Sequence, residues 1–319
     1  MKNRGLVLIL LSFLCFMPDL ANAEEGIKTS TDLVFQVTSL PEARLRLNQS
    51  FIFPFLQGQN PLLQDNNVKL VLSADVTPIT LAGIAEAAWT PAAFFTLSAG
   101  GRAGTGWNIP IAKGIGINTP IGDKTPGVIR DSEIEGKGFD GLLWGAWGAG
   151  TFQFDLGALI PGDWTHIVFQ TRQEFRYMGY TRAGSNDSWV FENDDGEDRN
   201  GWKYAATYIV GYQLPLSPVL SMIGVMAELE KNLSAFPGGD TWGDTLGNWI
   251  FSGMGVFTIT PRFDATLAVQ VRTRRNYGIS DFNNNNNDYY YQDRELKNEE
   301  PQRHLFFYRV ALILNYKLR

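Results

Sequence analysis

Apolar side chains recur at every second position in the stretch FDATLAVQVRTRRNY (263–277). Leu267 and Val269 lie on one face of this pattern, while Gln270 and Arg272 lie on the other. A period of two is typical of a β-strand whose two faces meet different surroundings. A soluble β protein turns the apolar face inward, whereas a membrane barrel turns it outward into lipid.

The same alternation continues along most of the chain. Further segments of this kind are 43–55, 95–107, 142–156, 167–177, 202–214, 219–230 and 306–316. In the last of them the predicted apolar face carries Phe306, Tyr308, Val310, Leu312 and Leu314. The segment 248–259 is also strand-like, but its parity is ambiguous.

The segment 68–89 contains Pro78, and its apolar parity switches there. We interpret it as one strand with a β-bulge at the proline, because a bulge produces such a switch. A turn that divides the segment into two strands is the alternative. Residues 24–41 extend the first strand or lie in the lumen.

Connector lengths favour a membrane barrel. Short connectors fall at 90–92, 160–165, 215–218 and 260–262, and long ones at 56–67, 108–137, 182–200, 234–247 and 278–303. With 68–89 as one strand, short and long connectors alternate, as in bacterial outer-membrane barrels. The sequence therefore predicts an all-β, up-and-down antiparallel transmembrane barrel of about 10 strands, with 8 or 12 as alternatives.

Charged residues occupy the less apolar faces of these strands. A charge facing lipid at the membrane midplane costs about 2–4 kcal/mol, so these faces are predicted to line the lumen. The candidate pore-lining residues are Arg44, Arg46, Arg102, Arg172, Glu174, Arg176, Glu228, Glu230, Arg272, Arg274 and Arg309. A soluble lipocalin-type barrel is the best competing interpretation, but it does not require long loops on one side.

Aromatic residues cluster near strand ends, as in the two interfacial girdles of membrane barrels. Those predicted near the loop ends are Trp107, Tyr177, Tyr180, Trp202, Tyr204 and Tyr277. Those predicted near the short turns are Trp89, Tyr212, Phe263 and Tyr316.

The lumenal charges allow two arrangements. Unpaired arginines would bias a pore toward anions. Alternatively, arginines and glutamates pair across the lumen and fill it, since barrels near 8 strands have interiors that side chains just fill.

The start of the chain has the features of a secretory signal peptide. Lys2 and Arg4 precede an apolar run, and Ala21-Asn22-Ala23 matches a cleavage site. We therefore expect residues 1–23 to be removed and 24–319 to form a single barrel domain. Cys15 is the only cysteine and leaves with the signal, which excludes a disulfide framework and a cysteine metal site.

Composition agrees with this class. The chain has 33 glycines and 13% aromatic residues, both high for an ordinary domain. The formal net charge of -6 argues against a nucleic-acid partner.

The block NNVKLVLSADVTPITLAGIAEAAWTPAAFFTLSAGGRAGTGWN (66–108) resembles a segment of poorly characterised outer-membrane barrel proteins of treponeme-type spirochaetes. The preceding FIFPFLQGQNPL (51–62) fits the same resemblance, which covers about the N-terminal third of the chain. The resemblance implies location and fold and carries over no site. The C-terminus ends in Leu318-Arg319, whereas the usual barrel-assembly signal ends in phenylalanine.

Catalytic and metal-binding motifs are weak. His304 precedes the last strand near Asp281, Asp288, Glu299 and Glu300, and His166 lies beside a short turn. The acidic run FENDDGEDRNG (191–201) offers oxygen ligands for calcium, but its spacing does not match an EF-hand, so a solvated loop is favoured. The run FNNNNNDYYYQD (282–293) is low-complexity and is interpreted as a loop tip or contact surface.

These observations predict an outer-membrane β-barrel that acts as a narrow passive pore for small solutes or as a structural barrel. A surface-exposed adhesin or ligand-binding barrel is the alternative, and an outer-membrane hydrolase is the third. We expect no enzyme activity, no cofactor and no metal. The expected partners are outer-membrane lipid and the barrel-assembly machinery, and the expected state is a monomer.

Overall fold

The computed structural model describes residues 26–318, apart from 41, 61, 111, 122–130, 185–186, 193–197, 216, 218, 234–246, 276, 280–293 and 297–302. The predicted signal peptide and the asparagine-rich run 282–293 lie outside these residues. In chain order, the strands are β1 (Lys28–Thr38), β2 (Ala43–Pro54), β3 (Asn67–Val76), β4 (Thr80–Ala92), β5 (Phe95–Gly106), β6 (Ile115–Ile121), β7 (Asp131–Glu135), β8 (Leu143–Asp155), β9 (Ile167–Tyr180), β10 (Ser188–Phe191), β11 (Gly201–Gln213), β12 (Leu220–Asn232), β13 (Asn248–Thr260), β14 (Phe263–Arg275), β15 (Tyr277–Ile279), β16 (Arg294–Leu296) and β17 (Arg303–Lys317). A 3₁₀ turn, Leu156–Ala158, follows β8.

Twelve strands form one closed antiparallel barrel. Their order around the barrel is β1, β17, β14, β13, β12, β11, β9, β8, β5, β4, β3 and β2. The first and last strands close the ring, with Phe35 in register with Leu314. This confirms the predicted all-β, up-and-down antiparallel barrel of transmembrane type. Its twelve strands match the higher of the two alternative strand counts.

The preferred count of ten strands is wrong for two reasons. The segment 68–89 is two strands, β3 and β4, joined by a turn at 77–79. In that turn the hydroxyl of Thr77 accepts hydrogen bonds from the backbone N–H groups of Ile79 and Thr80, at 3.2 and 2.9 Å. The second reason is that residues 28–38 form a barrel strand of their own, paired with both β2 and β17.

The connectors divide between two ends of the barrel. The end where β1 begins and β17 finishes, here called the terminal end, carries the connectors 55–66, 93–94, 156–166, 214–219 and 261–262. The loop end carries the connectors 39–42, 77–79, 107–142, 181–200, 233–247 and 276–302. The expectation that connector 56–67 joins the long loops was wrong, because the added strand β1 moves it to the terminal end.

Alternate residues of each barrel strand face outward and are apolar. Phe35, Leu97, Phe175, Val225 and Val269 are exposed on this face. Adjacent outward residues lie in cross-strand register, as Val225 does with Val210. A continuous apolar outer surface is favourable in lipid, so this face forms the band that contacts the membrane.

Aromatic contacts mark both edges of the band. At the loop end the ring of Tyr177 stacks on that of Trp144, with 5.0 Å between centroids. At the terminal end the rings of Phe263 and Tyr316 lie 6.5 Å apart. Tyr180 departs from the predicted girdle, because it faces inward and is only 1% exposed.

Two small sheets lie at the loop end. One has the order β10, β6, β7, and the other pairs β15 with β16. Within the described residues, no helix is long and apolar enough to cross a membrane.

We expect Val225→Arg to destabilise the barrel by about 2–4 kcal/mol, because the new charge would face lipid near the middle of β12. Val225→Leu is the matched control and should change stability little. The free energy of unfolding is measured by urea titration in phospholipid vesicles, and heat-modifiable gel migration reports the folded fraction at each urea concentration. Equal stability of the two variants would show that this face does not contact lipid.

Candidate channel and its loop-end constriction

The inward faces bring most of the predicted pore residues into one lumen. Those placed there by cross-strand register are Arg44, Arg46, Arg102, Arg172, Glu174, Arg176, Glu228, Glu230, Arg272 and Arg309. For Arg274, the backbone register is described, and it places this residue opposite His304. The role of these residues in conduction stays a prediction.

A cavity of about 380 Å³ lies within the lumen. Strands β1 to β5, β8 and β9 contribute its lining. The charged lining residues are Asp32, Arg46, Lys69, Glu86, Arg102, Arg172, Glu174 and Arg176. Five are basic and three are acidic, and three further carboxylates, those of Asp75, Glu192 and Glu230, contact arginines of this lining.

Ion pairs connect lumenal charges within β9 and between β9 and strands that are not its neighbours in the barrel. Arg172 on β9 lies 3.0 Å from Glu86 on β4 and 2.9 Å from Glu174. The Nε atom of Arg176 lies 3.7 Å from Glu174, and its Nη2 atom contacts Glu230 on β12. These arginines are therefore paired with carboxylates, as in the second of the two predicted arrangements, but the pairs do not fill the lumen, since the cavity of about 380 Å³ remains.

The pair of Arg46 and Asp75 joins β2 to β3. The Nε and Nη2 atoms of Arg46 donate to the two carboxylate oxygens of Asp75 at 2.7 and 2.6 Å. This is a bidentate contact, which fixes geometry as well as charge. Asp75 is only 2% exposed, so its carboxylate depends on this partner.

Trp147 supports the carboxylate of Glu86. Its Nε1–H donates to Glu86 at 2.8 Å. Gly100 leaves room for the indole, since a Cβ atom there would lie 2.5 Å from the ring. Glu86 is thus held by a guanidinium and an indole.

A β-bulge at Tyr308 corrects the predicted parity of the last strand. The register of β14 with β17 shifts between Gln270 and Val271, so Phe307 is outward and 64% exposed, and Phe306 is in register with Arg272 on the inward face. The centroid of the Tyr308 ring lies 4.3 Å from the guanidinium carbon of Arg272 and 4.4 Å from that of Arg309. Phe306 and Tyr308 were therefore wrongly placed on the apolar face.

The strand β10 and the residue after it cross the lumen at the loop end. Trp189 lies against Tyr180 of β9, with 6.2 Å between ring centroids, and the Nζ atom of Lys203 on β11 lies 5.9 Å from the Trp189 ring. Glu192 contacts Arg44 on β2. Since β2 and β11 are six strands apart in a ring of twelve, this segment reaches opposite walls.

An apolar cluster holds the crossing segment in place. Its buried members are Ile115, Leu143, Met178, Tyr180, Trp189 and Phe191. Leu143, Met178 and Tyr180 come from the walls of β8 and β9, whereas the other residues come from loop strands β6 and β10. The loops therefore fold into the mouth and narrow it.

A second cavity, of about 220 Å³, remains at the mouth. It lies between the crossing segment and the wall formed by β1, β2, β17 and the turn at 77–79. Glu42, Arg44, Glu192 and Arg309 are its charged lining residues. Arg309 contacts Glu42, and its Nε–H also donates to Gln270 at 2.7 Å.

The acidic run 191–201 is described at its ends, and residues 193–197 lie outside the described part. Asp198 contacts Lys203, whose Nζ atom is also 2.8 Å from Glu230. Glu192 contacts Arg44 and Arg102. These two carboxylates lie in ion pairs at the mouth, whereas the sequence analysis expected this run to be a solvated loop.

The two histidines lie at opposite ends. The Nδ1 atom of His166 is 2.9 Å from Asp155 at the terminal end. His304 lies at the loop end with its ring 6.5 Å from that of Phe306. The carboxylates predicted near it, Asp281, Asp288, Glu299 and Glu300, lie outside the described residues.

Sequence reasoning missed several lumenal charges. Lys69, Asp75 and Glu86 lie on inward faces, and the alternation on either side of Pro78 could have identified them. Glu192 had no such signal, because it lies on a loop with no alternating pattern.

Comparisons with known proteins give similarity in structure alone. No protein-family model matches the sequence, and no curated protein matches it. The chain is similar in structure to the NanC porin, at 9% identity, with 91% of this chain and 100% of the porin covered and a TM-score of 0.42. A KdgM porin in complex with disordered oligogalacturonate is similar at 9% identity over 91% of this chain and 99% of the porin, with a TM-score of 0.38.

The translocator domain of the autotransporter NalP from Neisseria meningitidis is also similar, at 8% identity over 98% of this chain and 95% of that domain, with a TM-score of 0.35. The resemblance to treponeme-type proteins stays a prediction. The closed barrel, with apolar side chains outside and charges inside, has the architecture of outer-membrane β-barrel proteins.

We expect Trp189→Ala to release the crossing segment, because replacing a buried tryptophan by alanine costs about 3–5 kcal/mol. Limited proteolysis should then cut the loop 181–200 faster than in the unchanged protein, while the barrel stays intact on a gel. Trp202→Ala, on the outer face at the same end, is the control. Equal cleavage in both variants would contradict the packing of this segment.

Proposed function

We propose that the protein is a narrow passive channel for small solutes in the outer membrane. The observation that carries the proposal is the charged cavity of about 380 Å³ within a closed barrel. A polar cavity of this volume offers space for water and small solutes, which a lumen filled by side chains does not. The crossing segment narrows the mouth and so limits solute size.

The direction of insertion follows from the two ends. The terminal end faces the periplasm in this proposal, because bacterial barrels keep their termini and shorter turns on that side. The signal peptide is cleaved before residue 24, the barrel-assembly machinery inserts the mature chain, and the barrel acts as a monomer.

The charges of the cavity favour small anions weakly. The arginines of the lining contact carboxylates, so the proposed preference rests on Lys69. Lys69 lines the cavity and has no ion-pair or hydrogen-bond partner among the described residues. Its charge is therefore not neutralised by a direct contact with a carboxylate.

Planar-bilayer recording of the mature protein refolded in detergent tests the channel. We expect small discrete conductance steps and a reversal potential in a salt gradient that shows a modest preference for chloride. Lys69→Gln should lower that preference, because it removes a lumenal charge that no carboxylate contacts directly. Lys231→Gln is the matched control, since Lys231 is in register with outward-facing Tyr204.

Insertion without conductance, shown by heat-modifiable migration of the same sample, would overturn the channel and indicate a closed barrel. An equal effect of Lys69→Gln and Lys231→Gln would contradict the assignment of selectivity to the cavity.

A further inference from the structure

One carboxylate at the mouth is shared by two guanidiniums. Glu192 contacts Arg44, on β2, and its Oε1 atom lies 3.2 Å from the Nη2 atom of Arg102, on β5. Strands β3 and β4 separate these two arginines around the barrel. The two cations therefore converge on Glu192 from separate parts of the wall.

The backbone of Glu192 is held in place independently of its side chain. Its N–H donates to the carbonyl oxygen of Gly114 at 3.1 Å, and the preceding residue, Phe191, is only 5% exposed. The φ angle of Glu192 is 59°, in the left-handed region that glycine adopts readily and other residues adopt at a cost. A strained residue in a partly buried ion pair points to a specific role for the side chain.

The two arginines open onto different cavities. Arg44 and Glu192 line the cavity of about 220 Å³ at the mouth, whereas Arg102 lines the deeper cavity of about 380 Å³. The Nε atom of Arg102 is buried and has no hydrogen-bond partner within the described part of the chain. The contact between Arg102 and Glu192 thus joins the lining of the deeper cavity to the lining of the cavity at the mouth.

We infer that Arg44 and Arg102 form an anion-binding clamp that Glu192 occupies as an internal ligand. A carboxylate or phosphate group on a solute offers the same charged oxygen atoms as Glu192 and competes with it for both guanidiniums. The inference rests on the proposed channel function and names the chemical class of solute that is held at its mouth.

Competition of this kind predicts that removing the internal ligand strengthens anion binding. Glu192→Gly empties the clamp and suits the left-handed backbone, so the loop keeps its position. Isothermal calorimetry of the detergent-solubilised full barrel, with malonate and with inorganic phosphate in separate titrations, measures the affinity. We expect an affinity gain of about tenfold or more for at least one of these anions.

Two further variants make the test specific. Adding Arg44→Gln to Glu192→Gly should abolish the gain, because one of the two guanidiniums is lost. Asp140→Asn also removes one negative charge beside an arginine at the loop end, since Asp140 lies 3.3 Å from Arg182. This control should not reproduce the gain.

An unchanged or weaker affinity in Glu192→Gly, with the barrel folded by heat-modifiable migration, would overturn the clamp. An equal gain in Asp140→Asn would also overturn it, because general electrostatics would then explain the effect. A gain for malonate alone would assign the clamp to carboxylates, and a gain for phosphate alone would assign it to phosphates. Since calorimetry requires no ion flux, the clamp and the channel can fail separately.

Discussion

Closure of the backbone hydrogen-bond ladder is the constraint on which this structure depends. Lipid offers no partner for a free N–H or C=O group, so a sheet that spans a membrane must pair its first strand with its last. Here the pairing of Asp32–Thr38 with Ala311–Lys317 completes the ring. Once the ring is closed, side-chain parity determines the surroundings of each residue, and all charges of one parity share a single lumen.

Parity explains how much the sequence could predict. A charge such as Arg172 or Glu230 is identified as inward from its immediate neighbours, because alternation is a local property. Strand number depends on turns, and the Thr77 turn produces the same proline and parity switch as a bulge. Strand β1 was missed because its first half, Lys28–Asp32, is polar and shows no alternation. The missed strand β1 and the undivided segment 68–89 each reverse the side on which later connectors are predicted. The two errors therefore cancel, and most long loops were predicted on the correct side.

The candidate site was less predictable because its contacts join residues far apart in the chain. Arg172 and Glu86 are 86 positions apart, and nothing local shows that β4 and β9 face the same cavity. The bulge at Tyr308 moved two aromatic residues off the predicted face, and a period-two pattern cannot show an inserted residue without its partner strand. Glu192 lies on a loop, where no periodicity indicates that the chain turns back into the barrel.

The crossing segment also has a mechanical consequence. A hollow cylinder of twelve strands resists bending along its length far more than it resists flattening across its width. The contacts of Trp189 with one wall and of Glu192 with the other act as a cross-brace between those walls. Strand number and shear set the size of the cross-section, and these few side chains add resistance to flattening at this level. Lateral pressure from the membrane and ion pairing inside the barrel therefore act on the same width.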